Sequence, residues 1–283
     1  MACKNAALAL GLWGILCCAA FSSKALAVEA DVPFQAGEKL TYAIRWGLIP
    51  VGTGTLWVRD TLDFEGKKAY HISIEGHSNA FLSAFYEVDD FVQTFWDKQK
   101  LCSLAFQKIQ NEGHYHTNDV YLFDQDRQKA VSYGRKRGRR QYAVPPSVQD
   151  ALSCLYYYRS RGLGITDSMS MDVFQDRKNY KVRVRTEAKE KIKVKGMGKV
   201  STICVEPQAA REGMFFRKGQ MWIWFTDDQE KIPVQVKVRA SIFGKVTAEL
   251  QSVEQELDPE PTASAGEIFK MRARENAEGK NAR

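Results

Sequence analysis

No apolar run in this sequence is long enough to cross a bilayer. The uncharged N-terminal stretch from Ala6 to Phe21 holds 16 residues, against the roughly 20 that a membrane-spanning helix needs. Cysteine is scarce as well. Of six, Cys3, Cys17 and Cys18 fall in that N-terminal stretch, and only Cys102, Cys154 and Cys204 follow. Three thiols allow at most one bridge, so a disulfide framework does not hold this chain together. Each of the three sits among apolar neighbours, where cysteine serves as a small buried hydrophobe. There is no C-x-x-C for zinc or thiol chemistry and no G-x-S-x-G nucleophile elbow. One-signed charge is missing too: 41 Lys+Arg against 34 Asp+Glu gives +7. Removing Lys4 and Lys24, the only charges in the first 27 residues, leaves 39 against 34, too mild an excess to imply a nucleic-acid partner.

What is present is an export signal and a β pattern. Lys4, the apolar run and the small-residue triplet Ala25-Leu26-Ala27 have the layout of a cleavable secretory signal over residues 1–27, with Val28 as the first mature residue. The expected location is the periplasm or the medium. Residues 28–256 read as one β-rich domain, and residues 257–283, with Pro259, Pro261 and mixed charge, as a disordered tail.

Within the domain the dominant period is two. Leu40, Tyr42, Ile44 and Trp46 alternate with Thr41, Ala43 and Arg45, and the same alternation recurs at Tyr70–Ile74 and Tyr180–Arg185. Glycine-bearing turns divide the chain into about a dozen strands. The expected fold is all-β, a curved antiparallel sheet forming an open barrel or a clam-like half-barrel. One covering helix is predicted from Ser147 to about Arg161, where Val148, Ala151, Leu152, Leu155 and Tyr158 fall at helical spacing, and a shorter helix or lid over Asn79 to Tyr86. Met221-Trp222-Ile223-Trp224-Phe225 and Val120-Tyr121-Leu122-Phe123 are apolar at every position, so both faces of those strands require cover.

Several segments, taken in order, resemble a known family: Phe34-Gln35-Ala36-Gly37-Glu38-Lys39-Leu40-Thr41-Tyr42, Pro50-Val51-Gly52, Asp89-Asp90, Glu112-Gly113-His114-Tyr115, Val148-Gln149-Asp150-Ala151-Leu152-Ser153, Trp224-Phe225-Thr226-Asp227-Asp228 and Ile232-Pro233-Val234. Together they resemble the exported bacterial proteins grouped as domain of unknown function 3108. The resemblance implies an exported β-rich protein and carries no catalytic residue with it.

Candidate sites follow from chemistry. Glu112, His114 and His116 at alternate positions would place a carboxylate and two imidazoles on one strand face, but no further metal ligand is identifiable and a solvated face is the simpler reading. Asp89-Asp90 and Asp227-Asp228 are adjacent carboxylates whose side chains point to opposite strand faces, which does not suit acid–base work. Asp90, Asp150, Arg159 and Asp228 read as structural, with at least one buried or semi-buried ion pair among them. Trp46, Trp57, Trp96, Trp222 and Trp224 are candidates for lining a ligand cavity, and Arg135, Lys136, Arg137, Arg139 and Arg140 for meeting an anionic group at a hairpin turn. No cofactor or metal is implied. The expected activity is non-enzymatic binding or carriage of a lipid or anionic glycolipid, with peripheral membrane contact; an envelope scaffold without a pocket is the alternative. Intact-mass analysis of exported protein should show loss of residues 1–27, and a full-length membrane-embedded species would refute the signal assignment.

Overall fold

The computed structural model describes residues 30–134, 138–161, 168–209, 219–240, 244–257 and Phe269. Within them the period-two segments form fourteen strands, somewhat more than the dozen expected. The first eight are β1 (Glu38–Trp46), β2 (Ile49–Phe64), β3 (Lys67–Ser78), β4 (Asp89–Asp97), β5 (Ser103–Glu112), β6 (Tyr115–Asp124), β7 (Lys129–Gly134) and β8 (Gly138–Ala143). The remaining six are β9 (Met169–Gln175), β10 (Lys178–Val194), β11 (Gly198–Ala209), β12 (Gly219–Thr226), β13 (Pro233–Ala240) and β14 (Gly244–Gln255). All belong to one antiparallel sheet in the order β8-β7-β6-β5-β4-β3-β2-β1-β14-β13-β12-β11-β10-β9. Two meanders, β1 to β8 and β9 to β14, are thus joined where the first strand pairs with the last.

The sheet is strongly bent. Register shifts interrupt six of its ladders, at Thr41/Tyr42, Ile44/Arg45, Val58/Asp60, Phe95/Trp96, Thr186/Ala188 and Trp224/Phe225, and such bulges add twist and curvature. The curl carries the β9–β10 hairpin onto β6 and β8: the Phe174 ring lies 5.5 Å from Tyr121, 6.0 Å from Phe123 and 5.5 Å from Tyr142. At the turn of that hairpin Arg177 donates to Asp119 at 2.8 Å and Asp176 faces Lys108 at 3.5 Å. The edge strands β8 and β9 do not pair, so the expected open half-barrel is what forms.

The segment expected to begin a long helix instead fills this seam. Ser147 takes a left-handed conformation (φ 54°), and Val148 to Asp150 run extended. Gln149 pairs in parallel with Val173 on the β9 edge, its N–H donating to Asp172 O at 2.9 Å and its carbonyl accepting from Phe174 N at 2.8 Å. On the other side Val148 O accepts from Ser103 N at 3.2 Å. Helix α2 is therefore only Ser153–Arg159, and α1 is Ala80–Ser83 with Asn79 as its cap. Sheet edges competing for the backbone groups of residues 148–150 outweigh the local helical spacing.

At the seam Asp150 is fully buried. Its carboxylate accepts from Thr94 and Ser103 hydroxyls at 2.6 Å each, and from the Leu152 and Ser153 amides at 2.7 and 2.8 Å, capping α2. Gln149, also fully buried, accepts from Trp96 Nε1 at 3.0 Å and donates to Leu101 O at 2.8 Å. At the far end of α2 the buried Arg159 pairs not with Asp90, Asp150 or Asp228 but with Glu38, bidentate at 2.5 and 2.9 Å, with a third bond to Glu230 O at 3.1 Å. One short helix is thereby tied to β4 and β5 at its start and to β1 and the β12–β13 turn at its end.

The main core lies inside the curl, where Leu40, Val58, Ile72, Trp96, Val148 and Tyr156 are essentially inaccessible. A second cluster packs Phe64, Phe95, Leu104 and Val120 together with Phe269, whose ring is 5.2 Å from Phe95. Phe269 is the one described residue of the tail; the rest of residues 258–283, like residues 1–29, lies outside the described residues. Replacing Asp150 by Ala leaves two hydroxyls and two amides to find new partners in a dry seam, so urea denaturation should show a loss of about 3–5 kcal/mol. Asp150→Asn, which keeps an acceptor, should lose less, and equal small losses for both below about 1 kcal/mol would contradict this role.

Candidate functional site

Alternation on the β9–β13 half sends one set of side chains toward α2. Val182 and Val184 from β10, Val205 from β11 and Met221, Ile223 and Phe225 from β12 face Cys154, Leu155 and Tyr158 of the helix. The two layers do not meet fully, and a cavity of about 240 Å³ remains between them. Its floor residues Val182, Val205, Phe225 and Tyr158 are buried, whereas Ile74, Pro207, Met221 and Val236 are partly accessible and form its mouth. Among the described residues no charged side chain lines it. Engineered apolar cavities of roughly 150 Å³ already hold a benzene ring, so this one has room for a larger apolar group. Two methionine thioethers, from Met171 and Met221, give its wall adaptable surface.

Polar groups on this wall are few. The Tyr158 hydroxyl is buried without a hydrogen-bond partner among the described residues, and burial pushes its pKa up to about 12. Cys154 donates from Sγ to Ala151 O at 3.2 Å, and burial, reinforced by the Asp150 charge, pushes its thiol to about 12. A thiol so protonated is a poor nucleophile. Cys102 and Cys204 are likewise free, and burial pushes both to about 12.

None of the five candidate tryptophans lines this cavity. On β12 the expected division of faces holds, with Met221, Ile223 and Phe225 toward α2, so Trp222 and Trp224 point the other way. There Arg239 lies 5.5 Å from the Trp222 ring and Lys237 lies 4.3 Å from that of Trp224, which donates to Glu190 at 2.6 Å. Trp57 stacks with Lys39 and Arg59 at 4.6 and 4.2 Å and donates to Glu256 O. Trp96 belongs to the central core and Trp46 is exposed at the end of β1. Period two does identify the true wall residues on β10 and β12; the sequence pattern contains no sign of which face α2 would cover.

Of the basic run, Arg139 and Arg140 are exposed on β8, while Arg135, Lys136 and Arg137 lie outside the described residues. Glu112, His114 and His116 do not share a strand face, because the chain turns at Gly113 and His114: Glu112 pairs with Tyr115 across that turn and His116 meets Asn111 at 3.1 Å. Among the described residues no three His, Cys, Asp or Glu side chains gather as a metal site. The adjacent aspartates diverge as expected. Asp89 meets His77 at 2.9 Å, while Asp90 accepts from Asn111 N and is pushed up to about 6, chiefly by burial, with the Glu112 charge adding to it. Asp228 accepts from Thr226 Oγ1, Glu230 N and Lys231 N and shapes the β12–β13 turn.

No curated protein matches the sequence. The fold is similar to the crystal structure of a β-barrel-like protein of another domain of unknown function (DUF1849) from Brucella abortus, with a TM-score of 0.52 over 79% of this chain and 99% of that one at 10% identity. Weaker overlaps, at TM-scores of 0.33 and 0.35 and 8% identity, are found with a candidate exported protein of YmcC-like fold from Bacteroides fragilis and a candidate lipoprotein from Parabacteroides distasonis; each covers 80% of this chain and 99% or 100% of its own. Residues 41–251, most of the chain, match the family described as "Protein of unknown function (DUF3108)", and the chain belongs to that family.

Proposed function

We propose that this is an exported binding protein that holds the apolar part of an amphipathic envelope molecule, a lipid or glycolipid, between α2 and the β9–β13 half of the sheet. Export rests on the secretory layout of residues 1–27. The observation that carries the binding reading is the uncharged cavity of about 240 Å³ with partly accessible apolar side chains at its mouth. A cavity lined by apolar side chains with one or two placed polar groups is the usual form of a small-molecule site. Tyr158 supplies that polar group: its buried hydroxyl can donate to an ester or amide carbonyl of a bound chain. Exposed Arg139 and Arg140 on β8 offer cationic surface to an anionic head group. A scaffold with a wholly filled core accounts less well for an opening in this half of the molecule.

Native mass spectrometry of protein purified from the compartment to which it is exported should show a lipid-sized adduct that organic extraction removes. Ile223→Trp, which fills the cavity from its wall, should abolish the adduct while changing stability by no more than about 3 kcal/mol. Tyr158→Phe should weaken ligand retention yet leave the ligand-free protein as stable as the parent or up to about 1 kcal/mol more stable, because it removes an unsatisfied buried hydroxyl. Absence of any adduct, or an adduct retained unchanged in both variants, would move the function away from this cavity.

A further inference from the structure

At one end of the sheet two neighbouring turns expose large apolar side chains. The β1–β2 turn presents Leu48, 90% exposed, with Ile49 and Trp46 beside it, and the α1 turn between β3 and β4 presents Phe81 and Phe85, 55% and 62% exposed. The turns are fastened to one another. Asn79 N donates to Val51 O and Asn79 Nδ2 to Pro50 O, both at 2.8 Å, and Gly52 passes so close to the β3 backbone that an added Cβ would lie 2.2 Å from His77 O. Phe81 and Phe85 meet edge to face at 5.7 Å.

Three features decide what such a surface fits. First, the residues of neither turn carry charge: Trp46–Pro50 and Ser78–Tyr86 contain no Asp, Glu, Lys or Arg in a chain that is 27% charged, and the charge that reaches the β1–β2 turn, Arg45 donating to Leu48 O at 3.3 Å, is a cation. Second, the α1 turn satisfies much of its own backbone. Asn79 Oδ1 accepts from Leu82 N, Asn79 O from Ser83 N, and Leu82 O from Tyr86 N, which lowers the cost of moving that backbone out of water. Third, the side chains stand on separate projecting tips. A protein partner would need a matching pocket for each, whereas the boundary between lipid head groups and acyl chains accepts any shape and favours mixed aromatic and aliphatic residues. Exposed Lys245, whose carbonyl accepts from Gly47 N, adds a cation beside the β1–β2 tip.

We propose that this end of the sheet is a membrane-docking rim that inserts Leu48, Ile49, Phe81 and Phe85 between lipid head groups. The rim does not depend on an occupied cavity, and its test is separable from that of the binding reading.

The probe is vesicle sedimentation of the mature protein with phosphatidylcholine containing a minority of phosphatidylglycerol. The parent should bind, and added salt should change binding little, because apolar insertion is not screened. The double variant Leu48→Asp/Phe85→Asp should lose about tenfold in partitioning for each side chain replaced. Leu48→Ser/Phe85→Ser, which adds no charge, should lose in the same direction. Both variants should melt like the parent, since the replaced side chains are exposed. Ile223→Trp should bind vesicles as the parent does. Failure of the parent to sediment, equal sedimentation by the double variants, or conversion of a parental dimer to monomer by either one would overturn the proposal, the last by assigning the surface to a second copy of the chain.

Discussion

A carboxylate with no access to water, Asp150, holds the place where this sheet meets itself. Fourteen strands closed edge to edge would enclose a lumen far wider than side chains can fill, since about eight strands is the size at which they still reach across. An open sheet of the same size leaves two unpaired edges and a broad apolar face. The molecule lessens both by curling and pairing Gln149 with the β9 edge, while Val148 meets Ser103 of β5 on the other side. Two hydroxyls and two amides converge on Asp150 there, so a charge that would be costly in a dry seam becomes a fastener joining β4, β5 and the start of α2.

The position of α2 follows from that fastening. Asp150 sets where the helix begins, and the bidentate pair of Arg159 with Glu38 sets where it ends. Between these two points a helix of seven residues covers part of the β9–β13 half and leaves the apolar cavity beside it. Several segments that carry the family resemblance have structural duties of this kind. Gln149 and Asp150 make the seam, Glu38 anchors Arg159, Pro233 O accepts from the Tyr42 hydroxyl at 2.6 Å, Asp228 shapes a turn, and Gly52 allows two strands to approach.

Much of this was legible in the sequence because alternation reports a half-buried strand directly. The period-two runs, the two faces of Met221–Phe225 and the pairing of the strands β7 and β8 that flank the basic run could be read without coordinates; that Arg159 is paired could be read too, but not that its partner is Glu38. The helix from Ser147 could not, because the competitors for its first turn are sheet edges distant in sequence. Nor does the pattern place the tryptophans at the cavity beside α2, whose wall they do not join. Indoles can be satisfied by cations and by acceptors away from this cavity, a backbone carbonyl for Trp57 and the Glu190 carboxylate for Trp224, while Val, Met and Ile suffice to line an apolar space. Tyr158 was visible as a helix-face residue, yet its unpartnered hydroxyl is a property of packing alone.

The β9–β13 wall and its covering helix form one unit held by the seam, and the apolar turns at the end of the sheet form another, the proposed docking rim. The seam is the claim on which the cavity depends, and amide hydrogen exchange tests it most directly. The amides of Gln149, Leu152, Ser153 and Phe174 should exchange as slowly as those of the central β1–β2 and β1–β14 ladders, opening only when the whole domain unfolds. Rapid local exchange at those four amides, with the central ladders still protected, would contradict the account.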